Sequence, residues 1–252
     1  MTVLSLTNVQ FKCASRSILK EVSLEVTGGD WLAIAGRNGS GKSTLLRLMA
    51  DLIKPTSGKI YLDGIHYEKI RNIQQQLSIM SQRSQAIEEM NVLELVKLGR
   101  YPYLSSWQFN LSSKDLNYVD EAIDFAGLND LKYRSIGSLS GGERQRAFIA
   151  LSLAQNTSIL LFDEPTNHLD IVAQYQILQL LKKLAMQGKL IITVLHDLNH
   201  IAKYCNKIAL LNEGHLTGFG SIVEQFSSTA LSSAYGIDVK VESVNGRLFA
   251  EY

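Results

Sequence analysis

Apolar and polar positions alternate in two stretches near the start of the chain, Val3-Leu4-Ser5-Leu6 and Val22-Ser23-Leu24-Glu25-Val26. A turn-prone segment, Ala14-Ser15-Arg16-Ser17, lies between them. Period-two alternation puts every second side chain on one face, so this part reads as an antiparallel β layer. Gly28-Gly29 then marks a turn. Beyond it Trp31-Leu32-Ala33-Ile34-Ala35 is apolar throughout, which fits a strand buried on both faces. A glycine-rich turn follows, and Leu45-Leu46-Arg47-Leu48-Met49-Ala50 carries a helical pattern. Lys54-Pro55-Thr56-Ser57-Gly58 breaks that helix, and Lys59-Ile60-Tyr61-Leu62 reads as a strand ended by Asp63-Gly64. Leu77-Ser78-Ile79-Met80-Ser81 reads as another strand, with Gln82 at its end.

From residue 83 to about 138 the strand signals stop. Val92 to Leu98 and Leu116 to Phe125 space their apolar residues as helices do. Between them Tyr101-Pro102-Tyr103-Leu104-Ser105-Ser106-Trp107 is an aromatic, turn-rich connection. This predicts a helical insertion packed on an α/β core. From Ser158 onward strands and helices alternate: Ile159 to Phe162, then Ile171 to Leu184, Leu190 to Leu195, Leu198 to Tyr204 and Ile208 to Leu211. Such alternation predicts a mostly parallel sheet with helices on both faces. The tail after Ser221 reads as two short helices and a final strand pair. The expected organisation is one domain, with an α/β core of residues 1–82 and 139–220, a helical subdomain of 83–138 and a tail of 221–252.

Composition narrows the function classes. A hydrophobic content of 46% against 19% charged residues is enough to bury a sizeable core. A net charge of +1 gives no basic face for a nucleic acid, so none is expected as a partner. The two cysteines, Cys13 and Cys205, are far apart and in no metal-ligand spacing, which fits a reducing cytosol without disulfides. The N-terminal residues do not resemble a signal peptide. No apolar run approaches the roughly 20 residues that span a bilayer. Work at a membrane would need another chain to supply the spanning part.

The turn after the first buried strand is Gly36-Arg37-Asn38-Gly39-Ser40-Gly41-Lys42-Ser43-Thr44. Strand, glycine-rich turn and helix together are the context of a phosphate-binding loop. Gly36, Gly39 and Gly41 permit the tight backbone and carry no Cβ to hold phosphate away. The loop N–H groups and the positive helix end then face the anion. Lys42 can place its ammonium on the outer phosphates, and the Ser43 hydroxyl can ligate a Mg²⁺ that bridges them. Asp163-Glu164 ends an apolar strand: a carboxylate there is placed to hold Mg²⁺, and its neighbour to orient and partly deprotonate a water. Leu139-Ser140-Gly141-Gly142-Glu143-Arg144-Gln145-Arg146 opens a further helix, which Ser140 can cap while Gly141 and Gly142 expose N–H groups at its positive end. That is a second anion cradle, yet there is one set of nucleotide machinery, so each cradle is expected to serve a different nucleotide.

The loop, a lone Gln82, Leu139 to Glu143, Asp163-Glu164-Pro165, Asn167-His168-Leu169-Asp170 and His196 follow in the order of the ATP-binding cassette of ABC transporters, which this chain resembles from about Leu4 to Phe219. The resemblance implies a P-loop NTPase fold, ATP and Mg²⁺ as ligands, and a head-to-tail homodimer. ATP then lies between Lys42 of one chain and Ser140 and Gly142 of the other. Gln82 is implied to touch Mg²⁺ and the attacking water, Asp170 to face the partner chain, and His196 to contact the γ-phosphate. His196 and His200 also have the i, i+4 spacing of zinc helices, but His196 sits at a strand end, where the two share no helix face. His200, His66, His168 and His215 read as surface or packing residues. The family usually places an adenine-stacking aromatic where this chain has Cys13, and Phe11 is expected on the other strand face, so nucleobase selectivity is expected to be loose.

The gap of about 100 residues between loop and second cradle is too short for the coiled coils of the repair and chromosome-folding relatives. One cassette without a fused membrane domain resembles the ATPase subunit of a bacterial importer. Leu98-Gly99-Arg100-Tyr101-Pro102-Tyr103, Trp107, Ala154-Gln155-Asn156-Thr157 and Leu195-His196-Asp197-Leu198-Asn199 resemble the subunits that power ferric-siderophore, haem and cobalamin uptake. Iron(III)-siderophore import is the leading expectation. The alternatives are haem, cobalamin or metal-ion import, or a soluble switch without a transport partner. The same resemblance implies permease subunits gripped through Met90 to Trp107, a periplasmic or lipoprotein substrate-binding protein, and a peripheral place on the cytoplasmic side of the inner membrane.

Overall fold

The structure, a computed structural model, describes residues 1–80, 88–104 and 110–252. Strand β1 (Val3–Cys13) turns at Ala14-Ser15 into β2 (Arg16–Thr27). Strand β3 (Trp31–Gly36) runs through the glycine-rich turn into helix α1 (Lys42–Met49). Strands β4 (Ser57–Leu62) and β5 (Ile65–His66) form a hairpin on Asp63-Gly64, both left-handed, and β6 (Leu77–Met80) follows. The next stretch is helical: α2 (Val92–Lys97), a 3-10 turn over Leu98–Tyr103, α3 (Ser113–Phe125) and α4 (Gly141–Ala154). Alternation then returns with β7 (Ile159–Asp163), α5 (Ile171–Met186), β8 (Leu190–Val194), α6 (Leu198–Tyr204), β9 (Lys207–Asn212) and β10 (His215–Ser221). The tail is α7 (Ile222–Gln225), α8 (Ser228–Tyr235) and the hairpin β11 (Lys240–Val244) with β12 (Arg247–Glu251).

The strands make a four-stranded antiparallel sheet, ordered β2-β1-β4-β5, and a six-stranded sheet, ordered β10-β9-β3-β8-β7-β6. Within the larger sheet only β10 pairs antiparallel. Strand alternation divides its side chains between two cores. Along β3, Trp31, Ala33 and Ala35 enter one core, and Leu32 and Ile34 the other. The first core lies under α2 to α6 and the tail. The second fills the space between the two sheets and around α1. Both faces of the larger sheet are thus apolar, which is why its strands read as unbroken hydrophobic runs.

Strict alternation would return residues 11 and 13 to one face. The pairing register of β1 with β2 slips between Phe11 and Lys12, and the slip separates them. Phe11 packs against the second core, whereas Cys13 is exposed. Gln82 and Trp107 lie outside the described residues. Among the described residues, no helix is long and apolar enough to cross a membrane.

Candidate functional site

Gly36 ends β3 with φ +135°, and Gly41 precedes α1 with φ +106°. These angles fold the chain back so that Lys42 begins the helix. Lys42 is buried, and its Nζ donates to the carbonyl oxygens of Gly36 and Arg37, both at 2.8 Å. An ammonium carries three N–H groups, so these two bonds fix its position and leave one donor over. Burial pulls its pKa below the usual lysine value, and the nearby carboxylates Glu164 and Asp163 partly restore it. Gly39 faces open space, whereas a Cβ on Gly41 would lie 2.7 Å from Leu19 Cδ2.

Parallel pairing of β7 beside β8 delivers Asp163 and Glu164 to the same end of the sheet. Ser43 Oγ donates to Asp163 Oδ1 at 3.2 Å. Burial raises the Asp163 carboxyl above its usual range; the Ser43 hydrogen bond works against this, and the adjacent Glu164 charge adds to it. Glu164 is held in the left-handed region, φ 54°, which for a non-glycine residue is strained. Its side chain is clamped at both oxygens. Oε1 lies 2.6 Å from His196 Nε2, and Oε2 accepts from Asn167 Nδ2. His196 reaches it from the loop between β8 and α6, where Asp197 caps α6 by accepting from the His200 N–H at 3.0 Å. Asn167 opens the run Asn167-His168-Leu169-Asp170, but nothing in the sequence pattern shows that it holds Glu164.

The second cradle lies elsewhere on the chain. Ser140 and Glu143 form a capping box on α4. A hollow of about 330 Å³ is lined by Ser140, Gly141, Gly142, His168, Asp170 and neighbours. Asp170 caps α5 by accepting from the Ala173 N–H at 2.8 Å. Gly142 is needed for the approach of the two helices, since a Cβ there would lie 2.7 Å from Ala173 Cβ. His168 is exposed, as a surface residue, and lines this hollow. On the outer side of the glycine-rich loop a separate cavity of about 450 Å³ is lined by Arg37, Asn38, Gly39 and Ser40 from the loop, by Arg16, Ser17, Ile18 and Lys20 of β2 and by the Asn212-Glu213-Gly214 turn. The two hollows share no residue. The structure brings Lys42, Ser43, Asp163, Glu164 and His196 together, and sets Ser140, Gly141, Gly142 and Asp170 around a hollow that none of the first group lines.

The tail adds what local pattern does not show. The Tyr235 hydroxyl is buried near the Gly36 backbone, and burial pushes its pKa up to about 12. The hairpin β11–β12 is tied to α6 by a two-way bond: Asn199 Nδ2 donates to the Ala250 carbonyl, and the Ala250 N–H donates to Asn199 Oδ1.

Among the described residues no three His, Cys, Asp or Glu side chains converge as a metal cluster. Ser43 and Asp163 are instead two hard oxygen ligands beside a phosphate loop, the partial set that Mg²⁺ takes when phosphates and water fill its remaining positions.

The family described as ABC transporter matches residues 19–167. The petrobactin import ATP-binding protein FpuC of Bacillus anthracis is 39% identical over 242 residues, covering 95% of this chain and 89% of that protein. The iron(3+)-hydroxamate import ATP-binding protein FhuC of Bacillus subtilis (strain 168) is 34% identical over 244 residues, covering 96% and 90%. An inward-facing ABC transporter assigned to the metal-chelate type superposes with TM-score 0.87 at 28% identity, covering 100% of this chain and 96% of that one. A dimeric ATP-binding cassette in a post-hydrolysis state, bound to ADP and Pi, superposes with TM-score 0.73 at 31% identity, covering 87% and 98%.

Proposed function

Because this chain belongs to the ABC transporter family as an ATP-binding subunit, we propose that its ATP hydrolysis powers import of iron(III)-siderophore complexes. The cargo class comes from the relatives named for petrobactin and iron(3+)-hydroxamate import. The observation that carries the mechanism is that each set of residues is incomplete by itself: Lys42, Ser43, Asp163 and Glu164 gather in one place, and the Ser140-capped helix end lines a hollow that contains none of them. One half holds a lysine, a hydroxyl and two carboxylates; the other holds a serine-capped helix end with close-packed glycines. Each half completes an anion cage only with the other half of a second copy.

In this reading residues 36–44 cradle the phosphates, with Lys42 on the outer ones. Ser43 and Asp163, joined by Gln82, would hold Mg²⁺. The raised pKa of Asp163 fits that role, because a carboxylate that burial, and then the Glu164 charge, disfavour as an anion gains from an adjacent cation. Mg²⁺, when bound, neutralises charge on the phosphates. Glu164 orients and deprotonates the attacking water, and His196 supports it while facing the γ-phosphate. Ser140, Gly141, Gly142 and Asp170 of the second copy close the cage. The chain is read as one cassette, with an α/β core, the helical subdomain 83–138 and the tail 221–252. Membrane permeases are met through the segment from Met90 to Trp107, a periplasmic or lipoprotein substrate-binding protein completes the complex, and this chain sits peripherally on the cytoplasmic side of the inner membrane.

The cavity beside the loop is lined by Arg16, Ser17, Ile18 and Lys20 and by no aromatic ring. Base stacking on aromatics contributes about 1–3 kcal/mol per base, and among the described residues no ring lines the cavity to supply it. GTP is therefore expected to be hydrolysed with kcat/KM within about tenfold of ATP. Steady-state phosphate release with both nucleotides checks this, and a far larger preference for ATP would refute it.

The function itself is tested by expressing the chain with a candidate multi-span permease. Co-purification, and uptake of a ferric hydroxamate stopped by Lys42→Ala, is the expected result. Uptake of haem or cobalamin instead would redirect the cargo. A chain that turns over ATP but co-purifies with no permease and supports no uptake would favour a soluble switch.

A further inference from the structure

The densest polar junction away from the phosphate loop is built around Arg100, in the 3-10 turn after α2. The residue is only 4% exposed. Nε and Nη2 donate to Asp115 Oδ1 at 3.0 and 2.9 Å, and Nη1 donates to the Ala154 carbonyl at 2.7 Å. The rings of Tyr103 and Tyr118 lie 4.0 and 4.6 Å from the guanidinium carbon. A buried guanidinium persists only where its donors are satisfied. Here the partners come from different elements: Asp115 from the first turn of α3, Ala154 from the last turn of α4.

The Ala154 carbonyl is one of the four that the helix itself leaves unpaired, and a cation at that end complements the helix dipole. Gly99 brings the turn hard against α4, since a Cβ there would lie 2.4 Å from the Leu151 carbonyl oxygen. The junction also reaches the larger sheet. Tyr103 Oη donates to the Gln155 carbonyl at 2.8 Å, and Gln155 Nε2 donates to the Leu77 carbonyl at 3.0 Å. Gln75 Nε2 donates to the Pro102 carbonyl at 2.7 Å.

Helix α4 has 14 residues and so spans roughly 21 Å. Ser140 caps one end, and Arg100 grips the other. A rod held this way carries a displacement from end to end. We propose that Arg100 is a positioning residue that makes α3, α4 and the turn 98–103 move as one body. Closure at Ser140 is thereby delivered to the segment that begins at Met90. The inference rests on the functional reading above for what that segment meets; the rigid coupling is a property of this chain alone.

Hydrogen–deuterium exchange on the full chain tests it, in a Glu164→Gln background that retains ATP. With Arg100 intact, ATP is expected to change exchange in peptides covering 139–145 and in peptides covering 92–104. With Arg100→Gln added, the change at 139–145 should remain, while that at 92–104 should fall by about fivefold or more. Arg100→Lys should fail in the same way, because one ammonium cannot bridge Asp115 and Ala154 as a fork does. Tyr103→Phe, which removes one hydroxyl and keeps the ring, provides a milder break if Arg100→Gln unfolds; it should weaken the change at 92–104 and leave that at 139–145. A folded Arg100→Gln protein that passes the full change to 92–104 would overturn the proposal. Absence of any ATP effect at 139–145 with Arg100 intact would overturn the two-copy closure, and the delivered movement with it.

Discussion

Replacing Glu164 with glutamine is expected to cut ATP turnover by on the order of 10²–10⁴-fold, the range that a positioned general base contributes, while leaving ATP binding in place. The substitution keeps the shape of the side chain and removes its charge. Its two contacts can persist: Asn167 Nδ2 still meets an amide oxygen, and His196 Nε2 can accept from the amide nitrogen by adopting its other tautomer. The strained backbone at Glu164 is as tolerable to glutamine as to glutamate. What disappears is the group that takes a proton from water. Two copies should therefore close on ATP and stay closed. Phosphate release measures the first effect and light scattering in ATP the second. A variant that remains monomeric in saturating ATP would sink the two-copy cage.

The second large effect concerns stability. Gly36→Ala is expected to destabilise the fold by on the order of 3 kcal/mol, through strain at positive φ together with a backbone clash. A Cβ at Gly36 would lie 2.0 Å from the Leu211 carbonyl oxygen. That oxygen belongs to β9, which pairs with β3 through this position, so it cannot retreat without opening the sheet. For a chain of this size the loss corresponds to a fall in Tm of roughly 6–12 °C. Gly39→Ala is the control. Gly39 also has positive φ, but open space surrounds it, so only the conformational strain remains, about 1 kcal/mol. Thermal unfolding followed by circular dichroism separates the two; equal losses would show that packing against β9 is not the cause.

Elements whose cues are local were legible in the sequence. Helix α6 is expected over Leu198 to Tyr204 and occupies those residues, because Asp197 caps it and its apolar positions recur at helical spacing. The phosphate loop was legible because its chemistry sits within nine consecutive residues. Contacts between distant segments were not. Nothing in a periodic pattern shows that Arg100 meets Ala154, or that Tyr235 lies beside Gly36. The placement of Phe11 depended on a register slip, which two strands create together and neither encodes alone. Motif order pointed to two anion cradles, but only the folded chain shows that none of Lys42, Ser43, Asp163 and Glu164 lines the hollow at Ser140.

Strand β3, which carries the phosphate loop, is flanked in the sheet by β8 and β9. At 5–20 residues per second, the ribosome makes those neighbours on the order of 10–35 s after the loop itself. The nascent loop thus waits, apolar strand exposed, until most of the polypeptide has been synthesised. A truncated product that stops before β8 would carry the whole phosphate motif in its sequence and lack both strands that hold it in place.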